Sequence, residues 1–129
     1  MILAVCVEEQ MGLQFQGRRL SKDACVRRKL LELSGGRLRM SAYSAKQFDD
    51  PVYAGNDYLS GAGVDDWCFV ENGDYQEHAD NIQRIILFRW NRAYPADLFF
   101  SFPGDWRKVS EEDFPGNSHD QITMEVYER

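Results

Sequence analysis

The sequence predicts a single α/β domain, and three observations carry that expectation. Short apolar runs typical of buried strands alternate with segments that carry helix start and stop signals. The length, 129 residues with 43% hydrophobic content, suits one domain with one core. The final third holds two apolar runs, Ile85-Ile86-Leu87-Phe88 and Leu98-Phe99-Phe100, then an alternating run from Ile122 to Tyr127. No run approaches the roughly 20 apolar residues of a membrane span. Aromatic content of 13% argues against disorder.

The elements follow in order. Met1 to Val7 reads as a buried first strand, since it has neither a basic leader nor a small-residue cleavage site. Gln10 to Leu20, punctuated by Gly12 and Gly17, reads as a loop. Ser21 is the expected N-cap of a helix reaching about Leu33, with Asp23 in its first turn. Cys25, Val26, Leu30, Leu31 and Leu33 are its expected buried stripe, and Gly35-Gly36 its stop. Arg37 to Ser41 reads as a second strand and Ser44 to Phe48 as a helical turn. Asp49 to Asp66 is irregular, with one short element expected around Tyr58-Leu59.

Trp67-Cys68-Phe69-Val70 is the continuous apolar run of a strand covered on both faces. Tyr75 to Ala79 is a short helix leading to the strand at Ile85. Tyr94-Pro95-Ala96-Asp97 is a hairpin-like crossing to Leu98, and Trp106 lies in a turn. Phe88, Phe99, Phe100 and Trp67 are expected core. Trp90, Tyr94, Phe102 and Trp106 cluster at strand ends near Arg89 and Arg92, where they fill core or leave a patch for a protein partner.

Charge and cysteine content narrow the partners. Gly17 to Arg39 carries eight basic residues against Asp23 and Glu32, a net of +6 in a chain of net −6. Such a balance does not fit a nucleic-acid binder, though the basic segment suits a small anionic ligand. Cys6, Cys25 and Cys68 form no CxxC pair, so three reduced thiols in a cytoplasmic protein are expected. His78 and His119 are too few and too far apart for a metal site. No GxSxG elbow supports a serine nucleophile, and Asn117-Ser118-His119-Asp120 reads as the turn into the last strand.

The order of these pieces resembles dihydrofolate reductase. In that family an opening strand leads to a glycine-containing mobile loop, then to a Leu-Pro-x-Asp motif that starts the first helix. Gly12 and Leu20-Ser21-Lys22-Asp23 stand in those places, and Leu38 to Ser44 stands where the family has a methionine-glycine-arginine type turn. The run through Asn117-Ser118-His119 to Tyr127 resembles the family's carboxy-terminal end. The resemblance covers most of the chain but not Asp49 to Asp66. Some short bacterial chains of this kind carry a ribonuclease Z label, yet the HxHxDH pattern that label implies is absent.

The resemblance implies a three-layer α/β fold, its central sheet mostly parallel with an antiparallel C-terminal strand and a reduced cofactor-binding middle. It makes Asp23 the carboxylate that meets a pterin and helps to protonate it. The ligand cleft it implies comprises Val5, Cys6, Leu20, Asp23, Arg27, Met40, Ser44, Val70 and Tyr75. Gly12 and Asp97 would close the mobile loop over it. The family's phosphate-binding Gly-Gly is replaced by Glu71-Asn72-Gly73, and Ala42 and Ser44 stand near its lost arginine and threonine, so no NADPH is expected. The resulting expectation is a divergent member without NADPH-dependent reductase activity. It would bind a pterin- or nucleotide-like molecule or a protein partner. The alternative is an NAD(P)H- or flavin-dependent reductase with an atypical cofactor site.

Overall fold

A computed structural model describes residues 1–129. Its strands are β1 (Ile2–Val7), β2 (Gly12–Phe15), β3 (Arg18–Arg19), β4 (Leu38–Met40), β5 (Tyr53–Ala54), β6 (Trp67–Phe69), β7 (Arg84–Arg89), β8 (Leu98–Phe99), β9 (Arg107–Phe114) and β10 (Ile122–Glu128). The helices are α1 (Ala24–Ser34), α2 (Ala42–Ala45) and a 3-10 segment at Asp74–Asn81. Seven strands form the main sheet in the order β5-β4-β6-β1-β7-β10-β9, and β3-β2-β8 form a small second one.

The main sheet is parallel from β5 to β7, and β10 then runs antiparallel to both β7 and β9. Side chains alternate across each strand, so the sheet separates two cores. Leu3, Val5 and Val7 join Cys68, Val70, Ile85 and Leu87 on one face, under Leu13, Tyr58, Tyr75 and Phe100. Ala4 joins Trp67, Phe69, Ile86, Phe88, Ile122 and Met124 on the other, under Val26 and Leu30 of α1. Only one face is covered by a regular helix. Burial on both sides explains why these strands are nearly continuous apolar runs.

Helix α1 begins two residues later than Ser21 would have set it. Asp23 is extended (φ −151°, ψ 131°) and its Oδ1 accepts the Cys25 N–H, so Asp23 is the cap and not a first-turn residue. The buried stripe is Val26-Leu30-Ser34 at i, i+4 spacing. Leu33 therefore rotates outward and is 43% exposed. The helix stops as expected at Gly35, which is left-handed (φ 58°) and donates to the Glu32 carbonyl. Gly35→Ala is expected to cost about 1 kcal/mol in urea unfolding, because a Cβ strains the left-handed conformation. The Cβ itself would meet open space, so strain alone sets the cost.

Other boundaries move for local reasons. The segment read as a loop, Gln10 to Leu20, contains the β2–β3 hairpin, with Phe15 opposite Arg18. Its turn residues Gln16 and Gly17 both have positive φ (52° and 75°), as a two-residue hairpin turn requires. Tyr94 to Asp97 is not a hairpin. It carries the chain out of the main sheet, so that β8 pairs with β2. The helical turn expected at Ser44 to Phe48 starts earlier, at Ala42, because Ser41 caps it. Tyr58 and Leu59 are buried turn residues, and the strand of that region is β5. Phe99 is 49% exposed, while Trp90 is buried at 3%. No helix is long and apolar enough to cross a membrane.

Candidate functional site

The site is built around the N-cap of α1. Asp23 is required to leave the helix and face the segment before β10, and its side chain is fully buried there. Backbone N–H groups of Asn117 and Ser118 donate to it at 2.9 and 2.8 Å, and Cys25 N–H at 2.8 Å. The Ser118 hydroxyl, with one proton to donate, lies 2.9 Å from the Lys22 carbonyl oxygen and 3.2 Å from Asp23 Oδ2. Burial by itself would raise the Asp23 pKa. The donors, led by Asn117 N–H and His119, outweigh it and hold the carboxyl well below the usual range.

His119 completes this arrangement. Its Nδ1 lies 3.0 Å from Asp23 Oδ2, and an ionised carboxylate only accepts, so Nδ1 carries the proton. The ring stacks on Trp90 with centroids 4.5 Å apart. Nε2 then faces the hydroxyls of Ser21 (3.1 Å) and Tyr94 (3.0 Å). Gly116 is required beside it. A Cβ there would stand 2.6 Å from the His119 carbonyl oxygen and 2.8 Å from Asp23 Oδ2.

Above this buried group is an opening of about 500 Å³ lined by Arg19, Ser21, Lys22, Ala24, Arg27 and Asn117, with Asp23 and Ser118 at its floor. Three cationic side chains, Arg19, Lys22 and Arg27, line it, and Arg19 is paired with Glu71. Arg27 Nη1 is buried and has no hydrogen-bond partner. A second opening of about 550 Å³, lined by Phe15, Arg18, Leu20, Tyr94 and Pro95 among others, shares Arg19 with the first.

Behind Arg19 the sheet end is filled. Glu71 follows Val70 after β6, and its carboxylate accepts from Arg19 Nε at 3.0 Å and Nη2 at 3.2 Å. Gln47 Nε2 donates to the same carboxylate at 3.1 Å, and the Arg19 guanidinium stacks 4.4 Å over the Tyr43 ring. Side chains of Arg19 and Glu71 are only 20% and 10% exposed, so the pair is a partly buried plug.

The residues expected to share one cleft are divided. Val5 and Cys6 are successive strand residues, so they point to opposite faces. Val5, Val70 and Tyr75 lie inside the core away from α1, and Met40 lies inside the core beneath it. Ser44 is buried, with its N–H bonded to Ser41 Oγ. Only Asp23 and Arg27 line the first opening, and Leu20 lines the second. Cys6 is pushed to a higher pKa by burial and by the charges of Glu71 and Asp23; burial raises Cys68 to about 11. Both are therefore protonated thiols with little nucleophilic character. Gly12 N–H donates to Glu8 Oε2 at 2.7 Å, and a Cβ on Gly12 would collide with Ala96 Cβ at 2.5 Å. Asp97 Oδ2 accepts from Gln16 N–H at 3.0 Å. No three His, Cys, Asp or Glu side chains are placed to hold a metal ion together.

Sequence reasoning missed His119, Trp90 and Tyr94 as parts of one group. His119 lies 25 residues beyond Tyr94, and only the return of β10 beside β7 brings it to Trp90 and Tyr94. The aromatic patch expected for a partner is correspondingly smaller. Trp90 is core, and Trp106 is half-covered by the Arg129 guanidinium at 4.3 Å.

No protein-family model matches the sequence, and no curated protein does. Among solved structures, the chain is similar to dihydrofolate reductase from Enterococcus faecalis, complexed with NADP(H) and RAB-propyl. The TM-score is 0.66 over 100% of this chain and 96% of that one, with 13% identity. The fold is dihydrofolate reductase-like. Asp23 stands ahead of α1 as its cap, and Ala24, Cys25, Val26 and Arg27 follow it.

Proposed function

We propose that this dihydrofolate reductase-like protein binds a small anionic, nucleotide- or phosphate-bearing molecule in the opening beside α1, without NADPH-dependent reduction. One observation carries the reading: Arg27, whose Nη1 is buried and has no acceptor, lines this opening with Arg19 and Lys22, and also a smaller one with Asp49 and Asp50. A buried charged donor left unpaired costs on the order of 1–3 kcal/mol or more, and a bound anion would recover it. Asp23 is not its acceptor: the Asp23 oxygens accept from Cys25, Asn117, Ser118 and His119, and none from Arg27.

The plug at the sheet end supports the second half of the reading. Bare backbone after a buried strand lets phosphates approach a helix start. Glu71 sets a carboxylate there and ties it to Arg19 and Gln47. A dinucleotide would have to displace that pair.

Thermal unfolding of the full chain against nucleoside phosphates, pyrophosphate, folates and NADPH tests the proposal. A ligand at 100 times its Kd stabilises by about 2.7 kcal/mol, which a Tm shift reports. Arg27→Gln is expected to weaken that ligand at least ~10-fold, the value of one charge-assisted hydrogen bond. Stabilisation by NADPH that Arg27→Gln leaves intact, with oxidation of NADPH by dihydrofolate, would sink the proposal and favour a reductase with an atypical cofactor site.

A further inference from the structure

We propose that Ser21, His119 and Asp23 form a nucleophilic relay that transfers the acyl group of a small anionic ester to Ser21 and then to water. The three groups stand in series. Ser21 Oγ is 3.1 Å from His119 Nε2, and His119 Nδ1 is 3.0 Å from Asp23 Oδ2. Both distances lie within the reach expected of a nucleophile, its base and the group that orients the base. The carboxylate is anchored by amides of Cys25, Asn117 and Ser118, so it stays charged and fixes the ring. With the proton on Nδ1, the Nε2 lone pair is directed at the hydroxyls. Trp90 stacks on one ring face and restrains its rotation.

Accessibility separates the roles. His119 and Asp23 are buried, whereas Ser21 is half-buried and lines the opening with Arg19, Lys22 and Arg27. A substrate entering there meets the serine among cations. In the forward step Ser21 Oγ bonds to the carbonyl carbon and its proton passes to Nε2. The C–O bond to the alcohol then breaks, and Nε2–H returns the proton to the departing alkoxide. Water repeats the sequence on the acyl-serine, giving the acid and free Ser21. The Tyr94 hydroxyl, 3.0 Å from the same Nε2, competes as a donor in the resting state and offers its oxygen to Nε2–H once the ring is charged. It is a positioning residue.

The substrate class rests on the anionic-ligand reading above; activation of Ser21 does not. The full chain is therefore treated with a neutral alkyl fluorophosphonate and analysed by intact mass and peptide mapping. Ser21 is expected to carry one phosphonyl group with loss of fluoride. Ser21→Ala should abolish the label, His119→Gln should slow it at least ~100-fold, and Tyr94→Phe should keep it on Ser21. Circular dichroism shows whether each variant is folded, and Ser21→Ala with Tyr94→Phe decide the matter if His119→Gln is not. An unlabelled wild-type protein, or a label on Tyr94 or elsewhere, overturns the relay. Turnover of para-nitrophenyl hemisuccinate should exceed that of the neutral acetate ester at least tenfold. Equal turnover with Ser21 labelled overturns the substrate class and the anionic reading, not the relay.

Discussion

Asp23→Asn is expected to lower the unfolding free energy by about 3 kcal/mol, the upper end of the cost of leaving a buried donor unsatisfied. Asparagine would place an NH2 group where an oxygen now accepts the Asn117 and Ser118 amides, while His119 would lose its acceptor. Urea unfolding should show a lower midpoint with an unchanged slope. The acid response gives a second check. The folded pKa of Asp23 is depressed, because its donors outweigh its burial. Its contribution is therefore complete above the unfolded value, about 3.9, and is lost as the pH falls from there through the folded value. The gap between wild type and Asp23→Asn should narrow as the pH falls below 4. A gap that stays constant into strong acid would show that the charge of Asp23 does not carry the effect.

Gly116→Ala is expected to destabilise by about 2–3 kcal/mol, at the upper end of typical overpacking costs. The new methyl would meet the His119 carbonyl oxygen at 2.6 Å, Asp23 Oδ2 at 2.8 Å and Ile122 Cδ1 at 3.0 Å. Backbone must shift to make room, which draws Asn117 and Ser118 away from the carboxylate. The two substitutions therefore damage the same group. Combined, they should cost less than the sum of their separate effects, measured as a double-mutant cycle in urea. Additive costs would mean that Gly116 acts through Ile122 packing alone.

These two residues also show what a sequence conveys. The strands β1, β6, β7 and β10 were legible because burial on one or both faces demands runs such as Ile85 to Phe88 and alternation such as Ile122 to Tyr127. The helix stop at Gly35 was legible because a left-handed cap favours glycine. β9 was not, because nearly all of Arg107 to Phe114 is exposed at a sheet edge and no apolar pattern is required there. The β2–β3 hairpin was hidden for another reason: its turn uses Gln16 at positive φ where Asn or Asp is the usual signal. For the site, Asp23 was singled out, yet its cap position turned it toward residues more than ninety positions away. Local patterns carry no information about such a partner, so Asn117-Ser118-His119 read only as a turn.

The place of β10 has a consequence for how the chain emerges during synthesis. It is inserted between β7 and β9, so both depend on a strand made after them. Until it emerges, β7 presents an unpaired apolar edge, the kind of edge that recruits other chains. The same delay leaves Asn117, Ser118 and His119 without the strand that follows them and holds them beside the Asp23 carboxylate. A nascent chain stalled before Ile122 would hold most of its apolar strands and no means of closing the sheet over them.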